Sequence, residues 1–233
     1  MALRLEELAK TIDHTLLDPH AGREEVQEIC ARARELHVAS VCVLPLHVEA
    51  AAGELRGCDV KVCAVVGYPE GAAASKAKIV EAERCLDEGA GELEFAMNVP
   101  AMLAGDFALA RDELVAFVGT IRMRIANGGR GTVVLKAVIG TGRLDDKRKK
   151  LACKIVESAG VDFAQTSADG APATVHDVEL LRDYLSESVG VKASGGIETL
   201  DDVLTMVNAG AGRIGSPAAL DILSGAAQLD RVS

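Results

Sequence analysis

Eight short apolar runs, most of them followed by a stretch of helical character, limit what this chain can fold into more than any other feature. They fall at residues 11–15, 38–43, 62–66, 91–97, 132–139, 160–170, 189–194 and 213–215. Helices are predicted over 23–36, 75–88, 106–126, 145–158 and 174–185, with a last one after the eighth run. An apolar run of strand length, bounded by turn residues, fits a parallel strand buried on both faces. Eight of them alternating with helices in 233 residues suit a closed (β/α)8 TIM barrel, an α/β architecture of roughly 250 residues. The 49% hydrophobic content and the lack of a Pro- or Ser-rich linker predict one barrel domain across residues 1–233. An open doubly wound sheet is the alternative. Its Gly-rich dinucleotide fingerprint is missing after the first run, where Thr15-Leu16-Leu17-Asp18-Pro19 stands instead.

Charge narrows the partners. With 35 acidic and 25 basic residues the net charge is -10, which repels nucleic acid and anionic membranes. No run reaches membrane-spanning length, and the opening Met-Ala-Leu-Arg-Leu-Glu-Glu-Leu carries acids that a signal peptide lacks. The expectation is a cytoplasmic protein without nucleic-acid or membrane partners. Six cysteines, with no C-x-x-C pair and no ligand-spaced histidines, suggest neither a disulfide framework nor a zinc site. Neither a metal nor a cofactor is expected.

In a barrel, chemistry gathers at the C-terminal ends of the strands. The sixth run is telling, because Gly160-Val161-Asp162-Phe163-Ala164 passes into Gln165-Thr166-Ser167-Ala168-Asp169-Gly170 just before a new helix. Charged groups inside other runs, Asp13, Glu94, Lys136 and Lys192, are costly to bury unless paired or used. If they converge on the mouth, a lysine beside another cation loses proton affinity and becomes a nucleophile for a carbonyl. The plainer alternative is a structural ion-pair network. His14 reads as a framework residue, while His37, His47 and His176 read as surface or helix-start positions.

Several segments then carry a resemblance over nearly the whole chain. Ile12-Asp13-His14-Thr15-Leu16-Leu17, Val41-Cys42-Val43-x-Pro45, Val66-Gly67-Tyr68-Pro69-x-Gly71, Glu92-Leu93-Glu94, Leu135-Lys136-x-Val138-Ile139, Thr166-Ser167 and Val191-Lys192-Ala193-Ser194-Gly195-Gly196-Ile197 resemble, in order, the motifs of the deoxyribose-phosphate aldolase family. The resemblance implies a class I aldolase barrel that works through a Schiff base and needs no metal. It implies catalytic positions at Asp13, Glu94, Lys136, Gln165 and Lys192, and substrate-binding positions at Thr166, Ser167, Asp169, Ser194, Gly195, Gly196, Gly215 and Ser216.

The departures are specific. The family's Schiff-base lysine precedes the Thr-Ser of the sixth strand, and here that position is Gln165, whose amide is no nucleophile. Glu94 stands for the usual aspartate, Leu44 for an asparagine, and Gly140 for an acid near the end of the fifth strand. Losing one lysine and one acid together keeps the pocket's charge balanced. On the phosphate side Asp169 enters the first loop and Pro217-Ala218 replaces a serine pair, so one N–H is lost and an anion meets repulsion. The expected partner is therefore a small carbonyl compound without a phosphate. Three readings follow: an aldolase-like carbon–carbon lyase using Lys192 or Lys136 as its amine, an inactive or regulatory relative, or an ordinary aldolase substituted at residue 165. Family analogy suggests a homodimer.

Overall fold

The computed structural model describes residues 4–128, 131–167 and 171–232. In chain order these form α1 (Leu5–Ala9), β1 (Ile12–Leu16), α2 (Arg23–Leu36), β2 (Ser40–Val43), α3 (Val48–Glu54), β3 (Lys61–Val66), α4 (Ser75–Asp87), β4 (Glu92–Ala96) and α5 (Val99–Ala104). Then follow α6 (Phe107–Gly128), β5 (Val134–Val138), α7 (Asp146–Ala159), β6 (Phe163–Gln165), α8 (Val175–Tyr184), β7 (Gly190–Ser194), α9 (Leu200–Asn208), β8 (Arg213–Ser216) and α10 (Ala219–Val232). The strands pair in sequence order, and β8 returns to β1, closing a barrel that leaves no edge. All eight pairings are parallel.

Side chains point alternately out and in along each strand, which separates two kinds of interior. Outward residues such as Ile12, Val41, Ala64, Phe95, Leu135, Ala164, Val191 and Ile214 are buried in one large apolar layer against the helices. Fully burying a Val, Leu, Ile or Phe contributes about 1.5–3 kcal/mol, so this layer dominates stability. Inward, among the described residues, Cys42, Leu44, Cys63 and Val65 form a small apolar cluster, covered by Leu17 and Tyr68. Most of the remaining inward positions, including Asp13, Ser40, Glu92, Glu94, Lys136, Gln165, Lys192 and Ser194, are polar and buried.

Helix starts are fixed locally. Asp145 Oδ1 accepts the Arg148 N–H at 2.8 Å, and Thr174 Oγ1 accepts the Asp177 N–H at 3.1 Å. The sequence predicts these starts but not α1, α3, α5 or α9. Pro45 reads as a stop after β2. It opens a 3-10 turn over Pro45–His47 that runs into α3, a position where a proline's missing N–H costs nothing. The fifth and sixth strands are shorter than predicted. Past Gln165 the Thr166 side chain bonds to β7, its Oγ1 donating to Ser194 O at 3.1 Å and accepting the Ser194 N–H at 3.0 Å.

Candidate active site

Asp13, Glu94, Lys136, Gln165 and Lys192 all point into the barrel, on β1, β4, β5, β6 and β7. Parity places them there: Glu94 is the register partner of Lys136, and Gln165 of Lys192. All five are at most 1% exposed, so they lie beneath the mouth. Lys136 Nζ bonds Asp13 Oδ2 at 2.6 Å, Glu92 Oε2 at 2.7 Å and Glu94 Oε1 at 3.2 Å. Lys192 Nζ bonds Asp13 Oδ2 at 2.8 Å and donates to Glu94 Oε1.

Two members of this network escape the sequence reading. Glu92 lies two residues before Glu94 on the same face of β4, and Arg213 faces inward from β8. Arg213 Nη2 bonds Glu92 Oε2 at 2.8 Å, and its Nε donates to Asp13 Oδ1 at 3.1 Å. Three carboxylates thus meet three cations. Strand parity is the signal that would have found Glu92, which shares it with Glu94; Arg213 shows its place only through the register that pairs it with Lys192.

Electrostatics corrects one expectation. Burial alone would depress the Lys192 ammonium, and Lys136 pushes the same way, but the Asp13 and Glu94 carboxylates outweigh both and raise its proton affinity above that of an ordinary lysine. Lys136 is likewise raised well above the ordinary value, against its burial, by the Asp13, Glu94 and Glu92 carboxylates. Burial opposes ionisation of Glu94, yet Lys192 and Lys136 bring it down to about 2. Asp13 is held well below the carboxylate range, despite burial, by Lys136, Lys192 and Arg213. At rest both amines are ammonium ions.

Gln165 Nε2 donates to Ser167 O at 2.9 Å, while its Oε1 and the Ser167 Oγ are buried without partners. Gly140 has φ 74°, and a Cβ there would come within 2.9 Å of Val99 Cγ2, so this backbone is shaped for glycine and would strain the family's acid. Above the network a cavity of about 440 Å³ is lined by Thr15, Leu17, Asp18, Tyr68, Ser194, Gly195, Gly196, Glu198, Gly215 and Pro217. Among the described residues that line it are two carboxylates, Asp18 and Glu198, and no lysine or arginine. Gly195 packs its backbone so closely that a Cβ would meet Ala171 O at 2.0 Å, and a Cβ on Gly215 would meet Lys192 Cε at 3.1 Å. Ser216 Oγ donates to Ile197 O at 2.6 Å and accepts the Ala218 N–H at 3.0 Å, so that N–H is already engaged. Asp169 lies outside the described residues.

The histidines stay out of this network. His14 Nδ1 is 3.4 Å from Ser216 O, a framework contact. His176 and His37 are exposed beside Asp146 and Asp59, whereas His47 is buried at the start of α3. Cys42 Sγ, Cys63 Sγ and a Glu94 oxygen come within 4.8 Å of one another, a donor set that cysteine spacing does not reveal. Burial pushes the Cys63 thiol well up, and Lys136 Nζ stands 3.6 Å from its sulfur, which disfavours a further cation there.

Comparison with known proteins decides the family. No family model matches the chain. The deoxyribose-phosphate aldolase of Caldanaerobacter subterraneus subsp. tengcongensis is 41% identical over 221 residues, covering 94% of this chain and 93% of that protein. The enzyme of the same name from Clostridium kluyveri is also 41% identical over 221 residues, covering 94% and 98%. The chain belongs to the deoxyribose-phosphate aldolase family. A tetrameric deoxyribose phosphate aldolase from Aeropyrum pernix superposes with a TM-score of 0.86 at 29% identity, covering 97% of this chain and 93% of that one.

As a member of this family the chain is an aldolase-like lyase, built to act on carbon–carbon bonds. Gln165 is where the resemblance puts the family's Schiff-base lysine, and the neighbouring strand brings Lys192 beside it. The relatives' names include a phosphate ester, so they lend no support to an unphosphorylated substrate. Among the described residues no helix is long and apolar enough to cross a membrane.

Proposed function

We propose that this chain makes or breaks a carbon–carbon bond in a small carbonyl substrate at the barrel mouth, with Lys192 as the amine. The observation that carries this is the position of Lys192, register partner of Gln165 and hydrogen-bonded to Glu94 and Asp13. In the forward step Lys192 Nζ gives up a proton and attacks the carbonyl carbon. The oxygen leaves as water to give an iminium. When a base takes the proton of the β-hydroxyl, the bond between the α and β carbons breaks, the β carbon leaves as an aldehyde and the electron pair forms an enamine. Protonation of the enamine at the α carbon and its hydrolysis release the second carbonyl product and restore the amine. Glu94 and Asp13 are placed to move protons at Nζ; Lys136 holds both carboxylates in position, and Arg213 holds Asp13.

The proposal keeps an unphosphorylated substrate, although the relatives' names point the other way. Its support is the lining of the mouth: Asp18 and Glu198 repel a phosphate, Pro217 has no N–H, and the Ala218 N–H is taken by Ser216. It also takes the chain as one domain over residues 1–233, cytoplasmic and, by family analogy, a homodimer. The test is cleavage of 2-deoxyribose and of its 5-phosphate under one set of conditions. A kcat/KM higher for the free sugar supports the reading, and a large preference for the phosphate removes it.

One observation favours a second reading, a relative that kept the barrel and lost the reaction. Gln165 cannot form a Schiff base, and both buried lysines are held protonated by carboxylates. Absence of cleavage with either sugar, and of any amine adduct, would select it.

A further inference from the structure

Arg213 and Glu92 belong to the buried charge cluster, yet the ammonium of Lys192 pairs with Asp13 and Glu94 instead. The Asp13 carboxylate is divided between two sets of donors. Its Oδ1 accepts from Ser40 Oγ at 2.6 Å and from Arg213 Nε at 3.1 Å, while its Oδ2 meets Lys136 Nζ at 2.6 Å and Lys192 Nζ at 2.8 Å. Arg213 Nη2 also reaches Glu92 Oε2 at 2.8 Å, and Lys136 Nζ meets that same oxygen at 2.7 Å. The Arg213 guanidinium carbon stands 5.7 Å from the centroid of the Phe163 ring, so two carboxylates and an aromatic face hold the fork in place.

The charges around Lys192 come from Asp13 on β1, Glu92 and Glu94 on β4, Lys136 on β5 and Arg213 on β8, all buried or nearly so. Cys42 of β2 and Cys63 of β3 are buried thiols, and Gln165 of β6 is neutral. While Lys192 is an ammonium, three cations balance three carboxylates. Release of its proton leaves the cluster with one excess negative charge, and without Arg213 the excess would be two. Little water screens such an excess in the interior, so it is strongly opposed. A guanidinium, unlike an amine, keeps its charge across the whole working range of pH. Arg213 is therefore the fixed cation of the cluster, and it binds the Asp13 oxygen that Lys192 does not.

We propose that Arg213 is a positioning residue for the Lys192 amine: by drawing on the charge of Asp13 and Glu92 it loosens the hold of Asp13 on Lys192, so that the ammonium can release its proton and become a nucleophile. Glu92 opposes it, tightening that hold. This rests on reading Lys192 as the reactive amine, and adds the residues that govern its release.

The test is the rate at which formaldehyde and cyanoborohydride methylate Lys192 in the full chain, followed by peptide mass mapping at one fixed pH below the ordinary lysine value. Exposed Lys147 of α7 is the internal reference. A charge in direct contact changes the fraction of free amine by about 10- to 1000-fold. Arg213 acts through Asp13, so Arg213→Gln should react about tenfold more slowly, the lower end of that range. Arg213→Lys, which keeps the charge, should restore most of the rate. Glu92→Gln should react faster than the unsubstituted protein, and in Arg213→Gln combined with Glu92→Gln the two effects should oppose and bring the rate back toward its starting value. A purely structural role would instead slow every variant and the double variant most, and that order would overturn the proposal. An unchanged rate in Arg213→Gln, or no methylation of Lys192 in the unsubstituted protein, would overturn it as well. If Arg213→Gln fails to fold, Glu92→Gln decides alone, and a slower rate there rejects the idea. Absence of sugar cleavage together with the expected order of rates would contradict the lyase reading and leave this inference standing.

Discussion

Gln165 and Lys192 stand opposite each other as register partners on β6 and β7, yet they turn to different partners. Gln165 caps Ser167 O, while Lys192 reaches Asp13 and Glu94. The position that the family resemblance assigns to the nucleophile is filled by a neutral amide, and the nearest amine is charged and paired.

Lys136 is the keystone of the charge network, bonding three carboxylates while fully buried. Lys136→Met leaves Asp13, Glu92 and Glu94 with only Lys192 and Arg213. Breaking a buried pair on one side typically costs about 3–5 kcal/mol. Denaturant unfolding should show a loss of that order with an unchanged slope. A loss below about 1 kcal/mol would mean that the network is solvated like a surface cluster.

Acid should destabilise the fold in a defined window. Glu94 titrates near 2 in the folded chain against an ordinary 4.5, so its stabilisation is present above 4.5 and is lost as pH falls toward 2. Asp13, also lowered, acts in the same direction. The lysines are raised, so their contribution is full below 10.5 and declines only as pH climbs through their folded values. Unfolding free energy should be flat with respect to this network between pH 4.5 and 10.5. In Glu94→Gln the acid limb should shrink, and an unchanged limb would contradict the assignment.

Much of this fold is legible in the sequence, because eight apolar runs and their helices leave few alternatives to a closed barrel. The convergence of Asp13, Glu94, Lys136, Gln165 and Lys192 is legible too, since strand ends collect the site. What the sequence hides is parity between distant strands. Glu92, two residues from Glu94 on the same strand, could have been read from alternation, whereas Arg213 joins the network only once β8 is placed beside β7. The sign of the Lys192 shift depends on the two carboxylates within hydrogen-bond reach, and only coordinates supply those distances. The buried Lys78–Glu113 pair at 2.8 Å, which ties α4 to α6, joins residues far apart in sequence and leaves no local signal.

Gln165→Lys should not by itself create an efficient deoxyribose-phosphate aldolase. The introduced amine would be a fourth cation facing three carboxylates, with Lys192 beside it, so its proton affinity falls and weak reaction with small aldehydes is expected. Phosphate recognition would still be poor. A charge-assisted hydrogen bond contributes about 1.5–3 kcal/mol, so two or three missing donors cost several powers of ten in kcat/KM. Cleavage of deoxyribose 5-phosphate by the single variant at the speed of an intact family member would refute the account of the mouth.

The most direct measurement is borohydride reduction in the presence of acetaldehyde, followed by peptide mass mapping. If Lys192 supplies the amine, the reduced adduct lies on Lys192, and labelling increases with pH because the Asp13 and Glu94 carboxylates hold the ammonium above the ordinary lysine value. Lys192→Met should abolish the adduct and the lyase activity together. Labelling elsewhere, or an undiminished rate in Lys192→Met, would contradict the central claim.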